Sequence, residues 1–439
     1  MFKSFRDALK IKEVRRALLF MAFAMVIIRA GAQIPVPGVD QSFFAMWFAS
    51  QSGSALGILN AFTGGSFESM SILALSITPY ITSSIIIQLL TIAIPTLEEM
   101  QRDGDDGRKK LTAITRYLTI GLSVMESTAM CIGFGRQGLI PELNFAKGAV
   151  VVCSLTAGSA FLMWLGERIT EKGVGNGTSI ILLINIVSRF PKDITALYKQ
   201  FIAPASTAKG ILAGFVIAAV IVLIMVLVIL LEGGSRSIPV QYSRKIVGQS
   251  AYNGEGRSSS IPLKVNTAGV IPVIFASSIM SFPGMIAAFA GKSNPGGIIG
   301  HILTLLNQGS WFETARPVYT LGYLIYAFLI IFFAYFYTSI TFNPLEIADK
   351  LRKEGGVIPG IRAGKYTTEY LNGVLKYMVL IGACGLLIIA TIPLVASGLF
   401  RANVSFGGTS MIIVVGVILE TARQIESKMA VRRYQGFLD

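Results

Sequence analysis

Ten apolar segments recur along the 439-residue chain, at about 17–34, 71–94, 111–135, 148–166, 178–190, 210–231, 268–290, 319–342, 374–396 and 409–425. About 20 apolar residues cross a bilayer core of roughly 30 Å as a helix. Backbone in lipid must satisfy its own hydrogen bonds, so a chain of such segments folds as a helical bundle. With 53% hydrophobic and only 14% charged residues, the chain is too apolar for a single soluble domain. The expected class is an all-α polytopic membrane protein with ten transmembrane helices.

Charge orients the bundle. Most of the 38 Lys and Arg residues fall in the N-terminal lead and in alternate connections, whereas the long stretch 31–69 has none. The positive-inside rule then makes the N-terminus, the loops 232–264 and 343–370, and the tail 426–439 cytoplasmic. The basic lead from Lys3 to Arg16 precedes an apolar run without a small-residue cleavage site, so no cleavable signal is expected. Cys131, Cys153 and Cys384 all sit in apolar runs and read as packing residues, not as disulfides or metal ligands.

The stretch 55–94 breaks the pattern. Ser71–Ile94 is long enough to span, but Ala55–Phe62 is short and is interrupted by Thr63-Gly64-Gly65-Ser66 and then Glu68. Two arrangements fit: a broken, re-entrant element whose backbone faces protein or a cavity, or an amphipathic segment lying on the outer membrane surface. The segments 178–190 and 409–425 are also short, and each is fifth in its group of five. Their openings echo one another, Gly175-Asn176-Gly177-Thr178-Ser179 against Gly407-Gly408-Thr409-Ser410. Weak segments at matching places suggest two inverted halves, 1–190 and 210–425, joined by an outer loop at 191–209. Gly-Thr-Ser is also a common way to begin a helix, so the echo has a local explanation as well.

Glu126 is the clearest intramembrane carboxylate, with Gln88 a polar neighbour in depth. Such a group either serves a function or is hydrogen-bonded between helices. In the loop 232–264, alternation over Ile238–Tyr242 predicts a strand, with a hairpin tip near 253–260. The loop 343–370 ends in Ile358-Pro359-Gly360-Ile361-Arg362-Ala363-Gly364-Lys365, and the two loops together read as docking surfaces.

Enzyme chemistry finds no footing. The one histidine, His301, excludes an HExxH site, no Asp lies in an apolar segment, and no G-x-S-x-G elbow occurs. Gly360–Tyr366 is one residue short of a phosphate loop and has Tyr in place of Ser or Thr. No cofactor is expected. An ion-coupled secondary transporter remains a second reading of broken helices and repeats, and it calls for paired intramembrane ion ligands.

Several motifs carry a resemblance over nearly the whole chain: Ile34-Pro-Val-Pro-Gly38, Pro79-Tyr-Ile-Thr-Ser-Ser-Ile-Ile-Ile-Gln-Leu-Leu90, Gly175-Asn-Gly-Thr-Ser179, Ile238-Pro-Val-Gln-Tyr242, Pro262-Leu-Lys-Val-Asn-Thr-Ala-Gly-Val-Ile-Pro272, Phe342-Asn-Pro344 and Pro359-Gly-Ile-Arg362. In this order they resemble the SecY family of protein-translocase channels. The resemblance implies a protein-conducting channel in a bacterial plasma membrane, with a short plug helix at about 56–70 and a lateral gate. It implies SecE-type and SecG-type subunits, and the SecA ATPase or a ribosome as driver. Carried over position by position, the pore ring is Ile81, Ile85, Leu182, Ile186, Ile274 and Ile413. The plug includes Leu56, Ile58, Leu59, Phe62, Gly64 and Gly65, and the gate region holds Gln88 and Glu126. The docking charges are Arg244, Lys245, Arg362 and Lys365. Leu182 stands where Ile is more usual, and Ala363 where a proline is often found.

Overall fold

The computed structural model describes residues 11–50, 60, 62–138, 140, 144–203, 207–242, 259–289, 297–312, 317–400 and 408–435. Helices dominate. The first group is α1 (Lys12–Gly31), α2 (Gln41–Ser50), α3 (Thr78–Ala93), α4 (Pro95–Arg102), α5 (Asp105–Arg136), α6 (Phe145–Lys172) and α7 (Gly177–Leu197). The second is α8 (Thr207–Gly233), α9 (Ile271–Phe289), α10 (Ile298–Leu306), α11 (Thr320–Thr341), α12 (Pro344–Lys353), α13 (Lys365–Phe400) and α14 (Gly408–Gln435). Each of the ten apolar segments is occupied largely by one of these helices. Among the described residues, five helical stretches are long and apolar enough to cross a membrane: Asp105–Arg136, Phe145–Lys172, Gly214–Gly233, Thr320–Lys353 and Lys365–Val395. A sixth is obtained if α3 and the start of α4, bent by 108°, count as one span.

Two stretches depart from the sequence reading. Ser71–Ile94 was expected to be helical throughout, but the helix begins only at Thr78, and its 16 residues reach about 24 Å. The preceding residues form turns because Ser71 pairs with Pro35 in an isolated bridge and the Ile72 amide donates to the Ile34 carbonyl (2.9 Å). Long-range pairing has overridden apolar composition there. The stretch 191–209, read as a loop, is helical through much of its length. α7 continues through Pro191 to Leu197, and a π-helical turn covers Tyr198–Ile202.

Within the first group, α5 packs on α3 and α6, and α6 on α1 and α7. Within the second, α11 packs on α9 and α13, and α14 on α8 and α13. The groups meet along two seams, α5 against α9 and α7 against α14. One apolar cluster runs through both groups, from Met21 and Leu162 to Ile330 and Val417. α8 is apolar all round, with Ile211, Phe215 and Leu230 among its exposed residues, which suits lipid or a partner helix.

The two long loops form one structure. β1 (Ser235–Tyr242) pairs antiparallel with β2 (Ser259–Lys264) and, at Gln241 and Tyr242, with β3 (Gly356–Val357). Ile238, Val240, Leu263, Leu351, Ile358 and Leu371 close a small core beneath this sheet. The predicted strand is present, and its partner from the second loop could not be seen in local alternation.

Candidate functional site: an apolar neck and the segment docked on it

The six ring candidates come from four helices. Ile81 and Ile85 lie one turn apart on α3, Leu182 and Ile186 likewise on α7, Ile274 is on α9 and Ile413 on α14. All belong to the single apolar cluster, Ile81 at its partly buried margin. The others range from Ile413, fully buried, to Ile274, 9% exposed. Two hydroxyls of α3 near Ile85 are turned back onto their own helix. Ser83 donates to the Pro79 carbonyl and Thr91 to the Ile87 carbonyl, each at 2.7 Å. The six candidates therefore share one apolar cluster.

α7 is positioned at its start by neighbours on two sides. Asn176 caps it, its Oδ1 accepting from the Thr178 amide at 3.0 Å, and Thr170 of α6 accepts from the Gly177 amide at 2.8 Å. From α14, Gln424 accepts from the Gly175 amide (2.8 Å) and Lys428 donates to the Gly173 carbonyl (2.9 Å). This anchoring sets the depth of Leu182 and Ile186.

Of the plug candidates, Leu56, Ile58 and Leu59 lie outside the described residues. Phe62, Gly64 and Gly65 sit in a compact turn over 60–70, closed by Asn60: its Oδ1 accepts from the Glu68 amide and its Nδ2 donates to the Glu68 carboxylate, both at 3.2 Å. Phe67 and Met70 are fully buried against Phe44, Phe134 and Leu155. The turn rests on α7. Asn185 donates to the Phe62 carbonyl (3.2 Å), and Ser188 and Arg29 donate to the Gly64 carbonyl (3.4 Å each). Gly64 has φ +67°, and a Cβ there would lie 2.7 Å from the Asn185 carbonyl oxygen, so only glycine permits this approach. Side chains of α7 and α1 thus satisfy the carbonyls of Phe62 and Gly64.

Asn185, Ser188, Arg29 and Ser76 were missed by sequence reasoning. The available signal was Asn185 itself, an amide one residue before Ile186 in an otherwise apolar run.

Gln88 lies on α3 and Glu126 on α5. Gln88 donates to Ser84 of its own helix (3.3 Å), and its Oε1 is buried without a partner. Glu126 is 7% exposed and has no hydrogen-bond partner among the described residues. On the sheet side, Arg244 and Lys245 lie outside the described residues. Arg362 is exposed on a turn that Gly360 (φ +80°) and Gly364 (φ +93°) make possible. Its carbonyl accepts from Thr367 (3.0 Å), while its guanidinium has no partner among the described residues. Lys365 pairs loosely with Glu369 at 3.8 Å, and both are exposed.

This architecture has known counterparts. "The structure of a protein conducting channel" matches with a TM-score of 0.64 at 17% identity, covering 97% of each chain. "Sec61 in the Canine ribosome-channel complex from the endoplasmic reticulum" matches at 0.60 and 16%, again covering 97% of each. At such identities the likeness is one of fold. In sequence, the "Protein translocase subunit SecY" of Streptomyces scabiei is 41% identical over 453 residues and 100% of both chains. That of Escherichia coli (strain K12) is 40% identical over 433 residues, covering 97% of this chain and 94% of its own. The SecY family profile matches residues 71–422, and the chain belongs to the SecY family.

Proposed function

We propose that the chain is the channel-forming subunit of a protein translocase, moving unfolded polypeptides across the membrane and releasing apolar helices sideways into lipid. The observation that carries this is full-length likeness to translocase subunits, joined to the gathering of six aliphatic ring candidates in one cluster beside a docked turn. In this reading ten helices span in two inverted halves, 1–190 and 210–425, and the turn at 60–70 is the visible end of a plug. An aliphatic neck excludes water and ions by dewetting, yet yields around a passing chain without binding it tightly. Gln88 and Glu126 line the lateral gate, where α5 and α9 part.

The membrane is a bacterial plasma membrane, with both termini and the three-stranded sheet on the cytoplasmic side. Small subunits of the SecE and SecG types cover exposed helices such as α8. SecA or a ribosome supplies the work through Arg362 and its basic neighbours; the relative solved within a canine ribosome-channel complex supports the ribosome. The test is cross-linking of a stalled secretory chain to photoreactive residues at positions 85 and 274. Labelling at both, dependent on a functional signal sequence, is expected. Labelling at neither removes the channel reading. Orientation is checked by an impermeant thiol reagent on Tyr366→Cys, an exposed site beside Arg362. It should react only in inverted vesicles.

A further inference from the structure

Asn185 is 2% exposed, and its amide Nδ2 donates twice, to the Phe62 carbonyl at 3.2 Å and to the Ser76 hydroxyl at 3.0 Å. The two acceptors belong to different elements. Phe62 opens the turn at 60–70, and Ser76 stands two residues before α3. Ser76 is itself buried and holds a left-handed backbone, φ +52°, that a side chain disfavours. One amide thus grips both the turn and the strained start of the gate helix.

We infer that Asn185 couples plug release to gate-helix movement, so that neither proceeds without weakening the hold on the other. The inference rests on the plug and gate reading above. While the turn covers Asn185, its bonds lie in a dry, low-dielectric site where they are strong and an unpaired donor is costly. Departure of the turn admits water, which competes for Nδ2 and frees Ser76 to relax its backbone. Movement of α3 withdraws the Ser76 hydroxyl and uncovers the same amide beneath Phe62. Each event lowers the barrier to the other, a reciprocal coupling between two sites. Ser188 offers a contrast, since it donates to the Gly64 carbonyl and to the Asn185 carbonyl (2.7 Å), with no bond to Ser76 among the described residues.

A double-mutant cycle on the purified full complex in planar bilayers tests this, with the open fraction of the resting channel as readout. Asn185→Leu and Ser76→Ala are each expected to raise it roughly two- to tenfold, the range for one net hydrogen bond. The double variant should open no more than the stronger single. Ser188→Ala combined with Ser76→Ala should multiply. Ser76→Gly, which removes the hydroxyl and also the backbone strain, serves if Ser76→Ala folds poorly and should show the same non-additivity with Asn185→Leu. An Asn185 that merely stabilises the fold would lower yield while giving a multiplicative cycle, and that result overturns the coupling. Ile85→Asn is measured alongside. If it leaks while the Asn185–Ser76 cycle is multiplicative or silent, the coupling alone falls. If Ile85→Asn is as tight as the parent, the channel reading fails first.

Discussion

The two seams between the helix groups differ in what holds them. Where α7 meets α14, Gln424 and Lys428 reach across to the backbone of Gly175 and Gly173 at 2.8 and 2.9 Å. On the other side α5 meets α9, and the polar residues of α3 and α5 singled out above make no such reach: Gln88 bonds within its own helix, and Glu126 has no hydrogen-bond partner among the described residues. In lipid, apolar contact between helices carries no hydrophobic driving force, because tails or an incoming helix replace it. A seam of packing can therefore part cheaply, whereas a seam stitched by hydrogen bonds to backbone cannot. In the proposed channel reading, this contrast makes α7/α14 the hinge and α5/α9 the opening.

The ring gives the largest test of that contrast. Ile85 and Ile274 come from α3 and α9 on the opening side, Leu182 and Ile413 from the helices of the stitched seam. Paired Asn substitutions at Ile85 and Ile274 are expected to raise resting ion conductance roughly tenfold or more by wetting the neck. The same change at Leu182 and Ile413 should leak less, since those helices are held together elsewhere; equal leaks would dissolve the distinction. Gly64→Ala comes next. Its Cβ would press on the α7 backbone, and overpacking of this kind costs about 1–3 kcal/mol. The closed state should lose that amount, seen as a higher open fraction in the same bilayers.

Arg362 sits on the second group, between α12 and α13, so in the proposed reading a driver docked there would push one side of the opening against the other. Arg362→Glu should weaken driver binding roughly tenfold, as loss of a charged hydrogen bond does, while leaving resting conductance at the parent level. Arg362→Lys should be only partly tolerated, because lysine lacks the planar fork. Binding of the parent should also fall with added salt, exposed charges being screened over about 8–10 Å. A leak in Arg362→Glu would show that the turn braces the channel instead. The smallest effect concerns the seams themselves. Lys428→Ala and Gln424→Ala should each lower the stability of the detergent-solubilised complex by about 1 kcal/mol. Glu126→Gln should lower it by less. Thermal melts that rank them the other way would reverse the assignment of hinge and opening.

Much of this architecture was legible in the chain. Ten apolar segments became helices, the alternation at Ile238–Tyr242 became a strand, and the six ring candidates share one cluster. What escaped reading depends on partners distant in sequence. Ser71–Ile77 is as apolar as the helix it precedes, and only pairing with Ile34 and Pro35 makes it turn. Asn185 looks like one polar residue in an apolar helix until Phe62 and Ser76 are placed beside it. Glu126 was legible as unusual, yet its lack of a hydrogen-bond partner among the described residues is a fact of packing.

The sheet also has a consequence for how the protein is made. Tyr242 pairs with Gly356, about 110 residues later in the chain. At ribosomal rates of roughly 5–20 residues per second, β1 waits about 6–23 seconds for β3. In the proposed topology, α9 and α11 must be placed in the bilayer during that interval before the strand can close the small core. The surface bearing Arg362 is thus a birth certificate for the second group, complete only when those helices have been threaded. A nascent chain arrested before Gly356 should expose Ile238 and Val240 to chaperones or proteases, and one released beyond Leu371 should not.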